Sequence, residues 1–250
     1  MRRDPIGLRQ VTMPPSGNRK VQAVLNRTPV THAAAKQIQT MILDGSLGPG
    51  QKIPSQRELA VRLKLSRASL REALLTLEAI GLIVTQPGRG TFVAEMSSSG
   101  RTMISWRHRD YSVKDVFETR IMLESQIVRL SAAVLTAGQI DELTRLTDQM
   151  ERSWAAGDLL GNAEADFEFH GIIVSACPNR MLVDLYDANR DRIHSTQMQP
   201  IAVTDPARMR SSIAEHRLIV TALRDGDAGR AAEAVAMHIA NTACCAGVSA

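Results

Sequence analysis

The stretch Ser66–Leu82, SRASLREALLTLEAIGL, decides how the first hundred residues fold. Leu70, Ala73, Leu74, Leu77 and Ile80 recur at helical spacing and share one buried arc. Ser66 stands where an N-cap is wanted. The turn behind it carries Arg67 and Arg71, four residues apart and so on one face, with Ser66 and Ser69 beside them. The backbone dipole already makes a helix N-terminus a place for negative charge, so two cations there predict an anionic partner. Taken alone, the arginine pair would be no more than a solvated face.

The flanking sequence removes that isolation. Upstream, THAAAKQIQTMILDG sets Ala34, Ile38, Met41 and Ile42 at helical spacing and stops at Gly45. PSQRELAVRLKL follows, opening with Ser55 as N-cap and Glu58 three residues on, the capping-box pattern. Only Leu65 separates this second helix from the Ser66 cap, so the pair reads as a helix-turn-helix. Downstream, two short β-branched runs, Leu82–Thr85 and Thr91–Val93, flank a turn of Pro87, Gly88, Arg89 and Gly90. Three helices and a hairpin predict a winged helix-turn-helix.

Charge agrees. Of the 250 residues, 1–100 carry 14 Lys and Arg against six Asp and Glu, a net +8, whereas 101–250 carry 16 against 20, a net −4. A basic half joined to a mildly acidic one predicts that one part meets a polyanion. Helix-turn-helix proteins set the first residues of the second helix against base edges in the major groove. Arg67, Ser69 and Arg71, with Ser66 at the cap, are therefore expected to face double-stranded DNA, since arginine reads guanine in a bidentate way and serine bonds a phosphate or a base edge. Arg57 in the preceding helix is placed to grip a phosphate, and Arg89 at the hairpin tip to enter the minor groove.

The run KIPSQRELAVRLKLSRASLREALLTLEAIGLIVTQPGRGTFV resembles the DNA-binding domain of GntR-family transcriptional regulators over nearly all of residues 30–95. It departs where the family often shows Leu-Pro-Ser and Ser-Arg-Thr-Pro, having Ile53-Pro54-Ser55 and Ser66-Arg67-Ala68-Ser69. Around this block, 1–29 reads as a flexible basic tail and 96–111, rich in Ser and Gly, as a linker. Residues 112–250 read as an all-helical bundle, with segments near 113–135, 139–156, 158–177, 179–198, 206–224 and 227–245 broken at Gly138, Gly157, Pro178, Pro200 and Gly226. The fold class is thus mainly α, a winged helix-turn-helix followed by a helical bundle.

In AEADFEFHGII, Asp166 and His170 leave one face of one helix. His216 and His238 sit in two later helices among apolar residues that turn those helices inward. One carboxylate and three imidazoles suit a divalent transition metal, zinc or nickel first, although single histidines on apolar faces are ordinary core residues. Residues 112–245 resemble the FCD-type effector domain of the FadR subfamily, and the resemblance implies Asp166, His170, His216 and His238 as metal ligands. His32, His108 and His194 match nothing and are read as surface residues. Arg120, four residues before Glu124, has two readings: an intrahelical ion pair, or, as the resemblance implies, the arginine that holds an effector's carboxylate.

The resemblance implies a ligand-responsive regulator, not an enzyme. It would be a homodimer through its helical domain, with its two winged domains on a palindromic operator and a small organic acid as effector. The alternative is a metal-dependent hydrolase fused to a DNA-binding module, since such sites also activate water. A hydrolase needs a general base beside the metal, however, and there is no HExxH motif; Glu168 lies about 200° around the helix from Asp166. No apolar run approaches the ~18 residues of a membrane span and no secretory block follows the basic N-terminus, so the cytoplasm is expected. Cys177, Cys244 and Cys245 form neither a disulfide framework nor a CxxC motif and are read as reduced, structural thiols.

Overall fold

The computed structural model describes residues 29–94, 110–198 and 205–248. The tail read for 1–29 and the linker read for 96–111 lie almost wholly outside the described residues, as does His108.

Helix α1 (Pro29–Leu43) packs its Ala34, Ala35 and Ile38 face on α3, and its first residue overlaps the expected tail. Helix α2 (Gln56–Leu63) begins at the capping box read above: Glu58 N–H donates to Ser55 Oγ and Ser55 N–H to Glu58 Oε2 at 2.9 Å. Two residues, not one, join it to the next cap. Lys64 adopts the left-handed conformation (φ 53°), closing α2 with its N–H on the carbonyls of Ala60 and Val61, and Leu65 follows. Helix α3 (Arg67–Ala79) starts on Ser66, whose Oγ accepts from Ser69 N–H at 3.0 Å. Its predicted buried arc is buried throughout.

Strands β1 (Ile83–Gln86) and β2 (Gly90–Val93) pair antiparallel from Ile83↔Val93 to Gln86↔Gly90, each one residue nearer the turn than expected. Gly88 (φ 74°) and Gly90 (φ 118°) make the turn possible, in backbone conformations costly for any residue with a Cβ. The chain before α2 joins this sheet, Ile53 N–H donating to the Thr91 carbonyl and Val93 N–H to that of Gln51.

Six helices follow: α4 (Val113–Ser131), α5 (Ala137–Ala155), α6 (Leu159–Ala176), α7 (Arg180–Met198), α8 (Pro206–Arg224) and α9 (Ala228–Cys245). Side-chain caps start five of them, at Ser112, Thr136, Asp158, Asp205 and Asp227. Helix α4 stops four residues short of the expected 135. Ser131 accepts from the backbone of Val134 and Leu135 in a tight turn, and Thr136 then caps α5. The main packings are α4 on α9 and α7, α5 on α6 and α8, and α8 on α9.

Helix α6 is buried almost all round, which requires partners on both sides. Ala165, Phe169 and Ile173 enter the bundle core, while Leu160, Ala163 and Phe167 join the apolar cluster of the winged domain. Polar contacts frame that second face. Lys36 Nζ lies 2.9 Å from Asp158 Oδ2, Gln39 Nε2 donates to the Gly157 carbonyl at 2.7 Å, and His32 Nε2 is 3.4 Å from Glu164 Oε2. Among the described residues no helix is long and apolar enough to cross a membrane.

Candidate metal centre and nucleic-acid face

Four ligand atoms, one each from Asp166 and His170 on α6, His216 on α8 and His238 on α9, lie within 4.8 Å of one another. Helical spacing sets the first pair, Phe169 wedges edge-on against His170 and His216, and all three imidazoles are buried. Each histidine is oriented from behind through Nδ1. His170 Nδ1 is 2.9 Å from Glu124 Oε2, His216 Nδ1 is 2.8 Å from the Ser212 carbonyl, and His238 Nδ1 is 2.9 Å from Glu215 Oε2. With Nδ1 engaged, Nε2 is the atom offered inward, the arrangement by which outer partners prepare a histidine for a metal.

Burial alone would raise the carboxyl pKa of Asp166, but His216, His170 and His238 outweigh it and hold the group well below its usual range. For Glu124 the Arg120 charge and His170 overcome burial, leaving it at about 2. Glu215 also falls to about 2, because hydrogen bonds from His238 and Arg208 exceed the cost of burial. Burial and the neighbouring His216 push His238 down to about 4, despite the bond to Glu215. The carboxylates are thus ionised at neutral pH. Nε2 of His170 and of His216 is buried with no hydrogen-bond partner of good geometry, although Asp166 Oδ1 is only 3.1 Å from the latter. A divalent transition metal fits this donor set, since it would use those two orphaned nitrogens and neutralise the acidic surround.

The two readings of Arg120 prove compatible. Its side chain is 1% exposed; Nε donates to Glu124 Oε1 at 2.8 Å and Nη1 to Thr196 Oγ1 at 3.0 Å. The same residue lines a cavity of about 50 Å³ shared with Asp166, Gln197, Arg208, His216 and His238. Arg120 is therefore the partner of Glu124 and also lines the cavity beside the Asp/His cluster.

Sequence reasoning missed Glu215, Arg208 and Gln197. Arg208 grips both oxygens of Glu215 at 2.9 Å, and Asn241 Nδ2 donates to the same carboxylate at 2.7 Å. Seven residues apart, Arg208 and Glu215 share a helix face two turns along, which was the available signal. His194 corrects an expectation. It is 5% exposed, not a surface residue, because its ring packs on Phe167 with centroids 4.5 Å apart. His32 is half-buried in its contact with Glu164.

On the winged domain, Arg57, Arg67, Arg71 and Arg89 are all exposed. Arg57 stands in the first turn of α2, Arg67 and Arg71 in the first turns of α3. Arg71 has only a loose approach to Glu72 at 3.8 Å, and Arg89 lies over the Phe92 ring with 5.9 Å to its centre. Ser66 and Ser69 differ: their hydroxyls are 2.9 Å apart and Ser66 caps the helix, so both have structural work.

A winged helix-turn-helix followed by a helical domain with a convergent Asp/His cluster defines a class of two-part regulatory proteins. Residues 30–93 match bacterial regulatory proteins of the gntR family and residues 115–241 match the FCD domain, and the chain belongs to that family. It is 33% identical over 168 residues to the Glc operon transcriptional activator of Escherichia coli strain K12, covering 63% of this chain and 64% of that protein. It is 28% identical over 209 residues to the HTH-type transcriptional regulator LutR of Bacillus subtilis strain 168, covering 80% of this chain and 94% of that one. A solved structure from Rhodococcus sp. RHA1, described as a GntR transcriptional regulator, superposes with a TM-score of 0.54 at 20% identity, over 89% of this chain and all of that one; it bears on the fold alone.

Proposed function

We propose that this protein is a metal-dependent, ligand-responsive transcriptional regulator that binds a palindromic operator as a homodimer and is controlled by a small carboxylate. One observation carries the reading: three imidazoles, each oriented through Nδ1, and one carboxylate converge beside a cavity that also holds the buried Arg120. Asp166, His170, His216 and His238 would hold zinc or nickel, and the bound ion supplies coordination positions for ligand oxygens. Arg120 supplies the planar fork that a carboxylate fits, already levelled by Glu124 and Thr196. Arg67 and Arg71 read bases, with Ser66 and Ser69 fixing the helix start between them. Arg57 and Arg89 contact phosphate and minor groove.

The route from cavity to DNA runs through two helices. α6 turns Asp166 and His170 to the site and Leu160, Ala163 and Phe167 to the winged domain. The last turn of α7 sets Thr196 on Arg120, Gln197 on the cavity and Met198 in the winged domain's core. A ligand that shifts either helix shifts the seat of the DNA-binding domain and thereby selects between two placements of it. Dimerisation through the helical domain is supported by exposed apolar side chains on the packed pair α4 and α7, namely Met122, Met181 and Leu185.

The hydrolase alternative is weakened because, among the described residues, none of the nearby glutamates is free to act as its general base. Glu164 approaches His32, Glu168 is exposed on another face, and Glu124 and Glu215 are committed to orienting histidines. Gel-shift titration of metal-loaded protein on its operator, with and without small carboxylates, tests the proposal. A carboxylate-dependent change in affinity that disappears after chelation is the expected result, and turnover of an ester or phosphate substrate would replace it with the hydrolase.

A further inference from the structure

We infer that Gln197 is the specificity-determining residue of the effector cavity, reading a hydroxyl group next to the ligand's carboxylate. The inference rests on the small-carboxylate reading above and refines it. Gln197 is 7% exposed in the last turn of α7 and lines the cavity, and neither Oε1 nor Nε2 has a hydrogen-bond partner among the described residues. Among the described cavity-lining residues, the buried side-chain atoms left without partners belong to His216 and Gln197. The metal donor set accounts for His216 Nε2. Nothing among the described residues accounts for the amide, and native structures almost always satisfy a buried amide with protein, ordered water or a ligand.

The chemistry of the walls says what would satisfy it. Arg120 and Arg208 offer protons only, so the cavity is rich in donors for a ligand's oxygens. Gln197 Nε2 adds another donor, but Oε1 is an acceptor waiting for a proton. A carboxylate or a 2-oxo group brings only acceptors and leaves Oε1 unmet. A hydroxyl brings the missing proton. The cavity of about 50 Å³ holds roughly four waters, close to the bulk of a three-carbon hydroxy acid. A matched pair differing only at this atom, lactate and pyruvate, therefore isolates what Gln197 does.

Calorimetry on the metal-loaded full chain with lactate and with pyruvate tests this, using wild type, Gln197→Met and Gln197→Leu, with metal content measured for each. Wild type should bind lactate roughly tenfold or more tighter than pyruvate, and both variants should lose that preference by weakening lactate alone. The ligand-free variants should melt close to wild type, because the amide makes no hydrogen bond to a described residue and Met or Leu keeps the apolar stem against α7's neighbours. That combination, unimpaired stability with a collapsed preference, is not what a merely structural residue would give. Equal wild-type affinity for the two acids, or a lactate preference that survives both substitutions, overturns the role of Gln197 and leaves the carboxylate reading standing. Failure of wild type to bind either acid overturns both.

Discussion

The two halves of the molecule bury opposite kinds of residue. The winged domain closes on Ile38, Leu59, Leu70, Leu77, Ile80 and Ile83, all at or near zero exposure, and keeps its arginines outside. The helical domain has an apolar cluster of its own, yet through it runs a chain of polar and charged side chains from Arg120 and Glu124 through His170, Asp166 and His216 to His238 and Glu215. An apolar core is stable by itself, whereas buried ions are tolerated only when each is paired and repay their desolvation poorly. The first half is therefore built to hold a surface still. The second holds polar side chains that are satisfied chiefly through one another.

The largest difference between the halves is expected on chelation. Chelation, or His216→Ala, leaves Asp166 and the remaining imidazoles partly unmatched, with a cost of roughly 3–5 kcal/mol. Calorimetric scanning should show the helical domain melting about 10 °C lower and the winged domain, whose core borrows Leu160, Phe167 and Met198, moving by less; equal shifts in both would mean that the halves do not differ as described. Arg120→Ala should come next. It strands Glu124, whose carboxylate also orients His170, so a loss of roughly 3 kcal/mol or more is expected together with weaker metal retention. The paired change Arg120→Met with Glu124→Gln, which keeps an acceptor for His170, should recover most of that stability. Urea titration and elemental analysis on the two variants decide it.

The same contrast explains what could be read beforehand. In the winged domain the informative contacts are local: Ser55 with Glu58, Ser66 with Ser69, and an apolar arc within one helix, all within four residues. Period and capping rules reach that far. In the helical domain Asp166 and His170 are local, and His216 and His238 were placed with them through the family pattern. Contacts that join distant segments stayed hidden, such as Arg120 with Thr196 and His238 with Glu215. His194 failed for that reason: apart from Ile193 its nearest neighbours in sequence, Asp191, Arg192, Ser195 and Thr196, are polar, while its burial comes from Phe167 on another helix. Gln197 carries no local signal, since only the cavity shows that its amide is unmet.

On the winged domain the expected effects fall on DNA rather than on folding. Arg67→Ala or Arg71→Ala should each lower operator affinity by roughly 1–3 kcal/mol and relax base preference, with thermal stability unchanged. Arg57→Ala should weaken binding to all sequences and lower the salt slope by about 1. Gel-shift titrations at several salt concentrations separate the two patterns, and a wild-type affinity for Arg67→Ala would move the recognition surface elsewhere.

The smallest effect lies where the halves meet. His194 packs against Phe167, a member of the winged domain's apolar cluster, and burial with the charges of Arg190 and Arg120 pushes its pKa down to about 4. The unfolded chain takes up this proton near pH 6.5, so between the two values the unfolded state binds more protons and folding weakens as pH falls. Stability from this group is complete above pH 6.5 and is lost progressively toward pH 4, by about 1 kcal/mol on going from pH 7 to 5.5. Acidification also reaches His238, lowered to about 4, so the informative quantity is a difference. His194→Phe keeps a ring against Phe167 but has no proton to gain, and its urea stability should fall less than that of wild type over the same interval by about that amount. Parallel curves for the two proteins would mean that His194 is not held neutral at the junction, and that the winged domain does not seat on α6 as the packing of Phe167 requires.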